Sequence, residues 1–376
     1  MIPGHATASG TACYRDRFPR LREVNYFRRS EHVSGVSDLW LSSIGLGTYL
    51  GEPSDAADHS YMEAITTGLR SGINVLDTAI NYRHQRSERN IGAVLKQMIE
   101  SSELHRDEVL VCTKAGYLCF DSDPPPNPRD YFHREYIEPG ILDPKELAGG
   151  MHCMSPAYLE NQIERSRRNL GLETIDLFYV HNPESQLADV SREVFRQRLK
   201  DAFAALEKQV KARRLSYYGV ATWSAFRVAE SSRDYIDLFE LAKVAQEVAG
   251  DQHRFRFIQL PFNLAMPEAY ALANQRSGKE KMSILTAASR LGIAVMGSAT
   301  LYQARLTQDV PEFVGRILGT KTDAESAIQF SRSAPGLTTA LIGMGRKEHV
   351  AANLEPALVS PTPPHEWKKL FTKTNS

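Results

Sequence analysis

The chain has 376 residues, 42% of them hydrophobic, and its 45 basic and 45 acidic side chains give a formal net charge of zero. That much apolar material supplies a large core, which excludes whole-chain disorder and suits one large α/β barrel or two smaller domains. Balanced charge gives no global field to attract nucleic acid, acidic lipid or a strongly charged substrate, so a neutral small molecule is the expected partner.

In chain order, residues 1–40 come first as an N-terminal extension rich in Arg and lacking a secretory apolar stretch. A surface segment packed on the main body is expected there, with an organelle transit segment as the other reading. From residue 41 onward, short apolar, β-branched runs alternate with longer amphipathic segments, the pattern of parallel strands and crossover helices. The strands fall at 44–48, 74–77, 109–113, 175–180, 217–222, 257–261, 294–298 and 339–342. Eight such units predict one α/β domain over 41–358, a (β/α)8 TIM barrel.

Helices fit between the strands at 59–71, 156–170, 194–213 and 233–248, with Ser155 as the N-cap and Pro156 at the first turn of the second. Gly72, Gly171 and Gly292 stand where helices hand over to strands, which asks for a left-handed residue. The span 116–150, with Pro124-Pro125-Pro126, predicts a long loop after the third strand. Loops at that end of a barrel build the active-site mouth, so this one is expected to shape a substrate pocket. Residues 359–376 form a C-terminal tail containing Trp367.

No apolar run nears the roughly 20 residues that span a bilayer, so no membrane association is expected. Cys13, Cys112, Cys119 and Cys153 show no CxxC spacing, which favours a reducing cytoplasm, and no His or Cys grouping has the spacing of a metal site.

Three successive predicted strands end on ionisable groups: Asp77, Lys114 and His181, with Tyr82 five residues beyond the first. Singly, Asp77 is also a plausible cap, Lys114 a solvated strand end and His181 a structural histidine. Together, at the C-terminal ends of barrel strands, they are expected to converge. Hydride transfer to a carbonyl leaves charge on oxygen that must be protonated, and a tyrosine whose pKa of about 10 is lowered by an ammonium suits that task. Lys114 supplies the ammonium, Asp77 keeps it charged, and His181 bonds the substrate oxygen.

The runs Ile44-Gly45-Leu46-Gly47-Thr48, Gly72 through Ala79 with Tyr82, Ser87-Glu88, Ile91-Gly92, Thr113-Lys114 and Leu170-Gly171-Leu172 through His181 resemble the aldo-keto reductase pattern. The resemblance implies that Asp77, Tyr82, Lys114 and His181 form the family's catalytic tetrad. It also implies a nicotinamide cofactor laid across the barrel mouth, NADP(H) before NAD(H). Gly47, Thr48, Asp77, Thr222, Gln259 and Ser298 would sit beside it, with Gln259 bonding its carboxamide or, on the residues alone, lying as a polar group inside the barrel. Gly343 and Arg346 would face phosphate, and Asn353 the adenine.

Ala221-Thr222 and Gly297 depart from the pattern, Gly297 standing where an aromatic ring commonly stacks on the nicotinamide unless Tyr302 substitutes. Gly345 and Ala352 depart at the adenosine end. The alternatives are a Schiff-base lyase using Lys114 and a catalytically weak cofactor-binding subunit of the same fold.

Overall fold

The computed structural model describes residues 1–29 and 39–372. Eight parallel strands close into a barrel: β1 Ile44–Gly47, β2 Val75–Asp77, β3 Leu110–Ala115, β4 Ile175–His181, β5 Leu215–Ala221, β6 Phe255–Pro261, β7 Ala294–Ser298 and β8 Thr339–Gly343. Each pairs with its neighbour in sequence, and β8 closes onto β1 through Ala340 opposite Ile44 and Gly343 opposite Gly47. The strands are buried on both faces, which is why they read as nearly continuous apolar runs. Val75, Leu110, Leu177, Tyr179, Phe257 and Met296 fill the barrel, while Leu46, Val111, Phe178, Ile258 and Ile342 pack outward against the helices.

The eight expected strands are present, seven of them lengthened or trimmed by a residue or two at an end. Helix starts moved where caps decided them. The first barrel helix, Asp55–Arg70, begins four residues early because the Ser54 hydroxyl accepts from the Ala57 N–H. The helix expected from residue 233 begins instead at Leu238, because Asp237 accepts from the Phe239 and Glu240 N–H groups. Pro156–Leu170 has its expected bounds, but the Ser155 hydroxyl makes no capping bond; it accepts from the Cys153 thiol. Gly171 and Gly292 adopt the left-handed conformation that ends their helices.

The bottom of the barrel is closed by a hairpin of Phe27–Arg29 with Trp40–Ser42 and by the described part of the N-terminal extension. The Tyr14 hydroxyl donates to the Leu69 and Ile73 carbonyls. Buried Asp176 accepts from the Ala6 and Val111 N–H groups and pairs with Arg106 at 2.6 Å. Residues 30–38 of the extension and 373–376 of the tail lie outside the described residues.

The segment after β3 is not a featureless loop. It contains the helix Pro128–Phe132 and a wider turn His133–Ile137, and packs on Pro156–Leu170, with the Arg165 guanidinium over the Tyr136 ring. Trp367 is also internal, stacked on Phe330 and donating its indole N–H to the Phe330 carbonyl.

Candidate active site

A cavity of 830 Å³ opens at the C-terminal ends of the strands. Its position follows from the parallel barrel, whose strand ends and succeeding loops all face the same way. Asp77 ends β2, Lys114 is the fifth residue of β3, and His181 ends β4. Adjacent registers place Lys114 opposite Tyr179 and His181 opposite Ala221, so side chains two residues apart along neighbouring strands share one level.

The four expected residues converge. The Lys114 ammonium is fully buried and donates to Asp77 Oδ2 at 2.7 Å, to the Thr78 carbonyl at 2.8 Å and to the Tyr82 hydroxyl at 3.4 Å. The Tyr82 ring meets His181 edge-on at 6.0 Å and Tyr49 at 5.0 Å. Asp77, Tyr82 and His181 line the cavity, and Lys114 lies beneath them.

Burial works to depress the Lys114 ammonium, but the Asp77 carboxylate and the Tyr82 hydroxyl more than offset it, leaving its pKa above the usual lysine value. A protonated amine is no nucleophile, which argues against the Schiff-base alternative. The tyrosine differs from expectation: burial pushes the Tyr82 phenol above its ordinary value, and the Lys114 ammonium draws it back only in part. Burial, with Lys114 and His152 nearby, holds His181 well below the usual histidine value, so its ring is neutral at pH 7.

On the cofactor side, Gly47, Asp77, Thr222, Gln259, Ser298, Gly343 and Asn353 all line the cavity. One expectation needs correction. Thr48 is fully buried behind the wall, where its hydroxyl donates to the Asp77 carbonyl. Arg346 caps the start of the helix Lys347–Leu354 and is exposed, off the cavity wall, while His349 from that helix lines it. The Gln259 amide, at the cavity wall, donates to Asp77 Oδ1 at 2.8 Å.

Gly297 offers no place for a stacking ring. A Cβ there would point away from the mouth into Leu337 at 3.1 Å, whereas Tyr302 does line the cavity. Of the long segment after β3, the lining includes Tyr117 among the described residues, because the remainder is drawn down onto the helices. Trp367 does not line it either.

Sequence reasoning missed Tyr49, Tyr117, Asn182 and Trp223 in the wall. Tyr49, Asn182 and Trp223 had a signal, as each directly follows an expected site residue, Thr48, His181 or Thr222, at a strand end; Tyr117 had none. His152 was missed as well: its Nε2 bonds the His181 carbonyl at 2.7 Å and its Nδ1 bonds the Gln186 amide at 2.8 Å.

The buried His181 Nδ1, Thr222 Oγ1 and Thr300 Oγ1 have no hydrogen-bond partner among the described residues, and all three residues line the cavity. Buried polar atoms left unpaired are costly, so these fit a polar ligand that runs from the Asp77 corner towards Asn353. Among the described residues no group of three or more His, Cys, Asp or Glu is placed to hold a metal ion, and no helix is long and apolar enough to cross a membrane.

The fold and site define a (β/α)8 barrel with a buried Tyr–Lys–Asp–His cluster at its C-terminal rim. Residues 43–372 match the model of the Aldo/keto reductase family, and the chain belongs to that family. It is 32% identical over 181 residues to a D-threo-aldose 1-dehydrogenase from a Pseudomonas species, covering 48% of this chain and 49% of that protein. It is 29% identical over 152 residues to an NADH-specific methylglyoxal reductase of Escherichia coli K12, covering 39% and 40%. The matched stretches thus span about half the length of these relatives, or less. Its fold resembles an aldo/keto reductase from Klebsiella pneumoniae solved with NADP and acetate, with TM-score 0.58, 18% identity and coverage of 89% and 91%.

Proposed function

We propose that this chain is an NAD(P)-dependent oxidoreductase acting on a carbonyl compound or the corresponding alcohol, in the range of aldehydes, ketones and sugars. The observation that carries the proposal is the Tyr82 hydroxyl 3.4 Å from a buried ammonium that Asp77 holds charged, at the edge of a cavity large enough for cofactor and substrate. The tetrad assignment is Tyr82, Lys114, Asp77 and His181.

In reduction, the substrate oxygen lies between the Tyr82 hydroxyl and the neutral His181 ring, which offers one N–H donor. Tyr82 donates its proton as charge develops on that oxygen, and the Lys114 ammonium stabilises the phenolate left behind. The raised pKa of Tyr82 keeps the phenol protonated at neutral pH, the form an acid needs. In oxidation the same oxygen takes the proton back. Asp77 and the Thr78 carbonyl fix the ammonium, and the rings of Tyr49, Tyr117 and Trp223 wall the cavity around the reacting atoms.

The nicotinamide cofactor, when bound, supplies or takes up the hydride. Thr222, Ser298 and Gln259 are placed to hold its ring end, and Gly343, Asn353 and Arg346 its adenosine end. NADP(H) is preferred because Arg346 is exposed and has no carboxylate partner among the described residues, which leaves it to meet a 2′-phosphate. The NADH-specific relative makes NAD(H) the alternative to test.

The test is a fluorescence titration with NADPH and NADH, followed by an aldehyde, ketone and sugar panel with the tighter binder. Tyr82→Phe is expected to abolish turnover with nucleotide affinity within a few-fold of the parent. Nucleotide binding without turnover on any carbonyl would instead support a binding subunit.

A further inference from the structure

The chain turns left-handed immediately after the proposed acid. Arg83, His84 and Gln85 have φ of 46°, 55° and 72°, three successive residues without a glycine among them. Side chains with a Cβ avoid this region because it crowds the following carbonyl, so such a run persists only where its surroundings hold it. The structure shows what does so here.

The Arg83 side chain is 1% exposed and pairs with Asp58 Oδ1 at 2.6 Å. Its Nε donates to the Glu52 carbonyl at 3.0 Å, and the guanidinium lies 4.9 Å from the Tyr61 ring centre. Asp58 is fixed in turn by Arg86 at 2.6 Å and Asn90 at 2.9 Å. Across the turn, the Gln85 amide donates to the Phe120 carbonyl and accepts from Asn169, and His84 stacks flat on Phe120.

One guanidinium therefore ties two strips of the cavity wall to one barrel helix. The first strip is the turn that aims Tyr82. The second is the segment after β1, where Tyr49 packs against the Tyr82 ring and the Leu50 carbonyl accepts from the Tyr61 hydroxyl. Arg83 itself is directed away from the cavity and touches none of the reacting atoms.

We propose that Arg83, clamped by Asp58, is a positioning residue that stores a strained turn in order to hold the Tyr82 hydroxyl against Lys114. This rests on the function proposed above. Without the clamp the turn relaxes towards right-handed backbone, which rotates the Tyr82 Cα–Cβ bond and lengthens the 3.4 Å contact that assists proton transfer. Binding of nucleotide, which draws mainly on Thr222, Gln259, Ser298, Gly343 and Asn353 from the far strands, is left nearly alone.

The experiment compares Arg83→Ala, Asp58→Asn and the parent in NADPH-dependent reduction of methylglyoxal and 4-nitrobenzaldehyde, and in the reverse oxidation across pH 6–11. The expected result is a fall in kcat of about 10–100-fold for Arg83→Ala, with nucleotide Kd within about two-fold, since a small misplacement of an acid costs rates of that order. The apparent pKa of the oxidative profile is expected to rise, as the phenol loses its ammonium neighbour. Asp58→Asn keeps the shape and removes the charge, so a smaller loss in the same direction is expected.

A folded Arg83→Ala with parental kcat and an unmoved pH profile overturns the proposal. If Arg83→Ala does not fold, Asp58→Asn decides by the same two readouts. A purely structural role lowers the active fraction without moving the profile, and that result also overturns it. Failure of the functional reading is separate: parental protein without turnover, or Tyr82→Phe with full turnover.

Discussion

Replacing Asp77 by Asn removes one charge while preserving shape. The Asn carbonyl can still accept from Gln259, as Asp77 Oδ1 does at 2.8 Å, which turns the new amide donor towards the Lys114 ammonium. The parental ion pair at 2.7 Å corresponds to about 6 kcal/mol of attraction at an effective dielectric of 20. The cost has a ceiling, however, because Lys114 escapes by losing its proton. From an ordinary pKa of roughly 10.4 down to pH 7, that ceiling is about 5 kcal/mol, in line with the ~3–5 kcal/mol seen when buried pairs are broken.

The variant is therefore expected to lose about 3–5 kcal/mol at pH 7. The sign reverses the usual lysine case: the variant's folded pKa is depressed, so its deficit shrinks as pH rises towards roughly 10.4. Phenolate stabilisation is lost with the ammonium, and kcat is expected to fall by about 10²–10⁴. Thermal melts at pH 7 and 9.5, with nicotinamide absorbance for turnover, measure both. A variant that melts with the parent and turns over within three-fold of it would refute an Asp77-held ammonium.

Three further outcomes are expected. With the Tyr82 phenol pushed up by burial, carbonyl reduction should be level from about pH 6 to 9 while alcohol oxidation climbs to about pH 10 or beyond; a break near neutrality in either profile contradicts this. Burial, opposed by the bond to the His181 carbonyl, depresses His152 to about 4, so its neutral form stabilises the fold above about pH 6.5 and that contribution drains away as pH falls towards 4. Roughly 3 kcal/mol is at stake, and urea unfolding of parent and His152→Gln at pH 7 and 4.5 should show it as a difference in pH dependence. Arg346→Ala should weaken NADPH about ten-fold and NADH less than two-fold; equal losses would remove Arg346 from the phosphate.

The barrel was legible because each of its strands is buried on both faces and so announces itself as an apolar run, with glycine or a cap at the handover. For the same reason the strand ends were legible, and the sequence alone places Asp77, Lys114 and His181 at one rim. Arg83 was not, because nothing in the order Tyr82-Arg83-His84-Gln85 signals a left-handed turn; the conformation is imposed by Asp58, Tyr61, Phe120 and Asn169 from elsewhere in the chain.

What the sequence alone determined was local: which residues form strands, where each strand ends, and which chemical groups stand at those ends. The tertiary structure decided everything that depends on distant partners or on burial. It gave Gln259 to Asp77 across 182 positions, took most of the segment after β3 away from the mouth, and set the Tyr82 phenol above rather than below its usual pKa. Desolvation is a property of the folded environment, and no spacing along the chain encodes it.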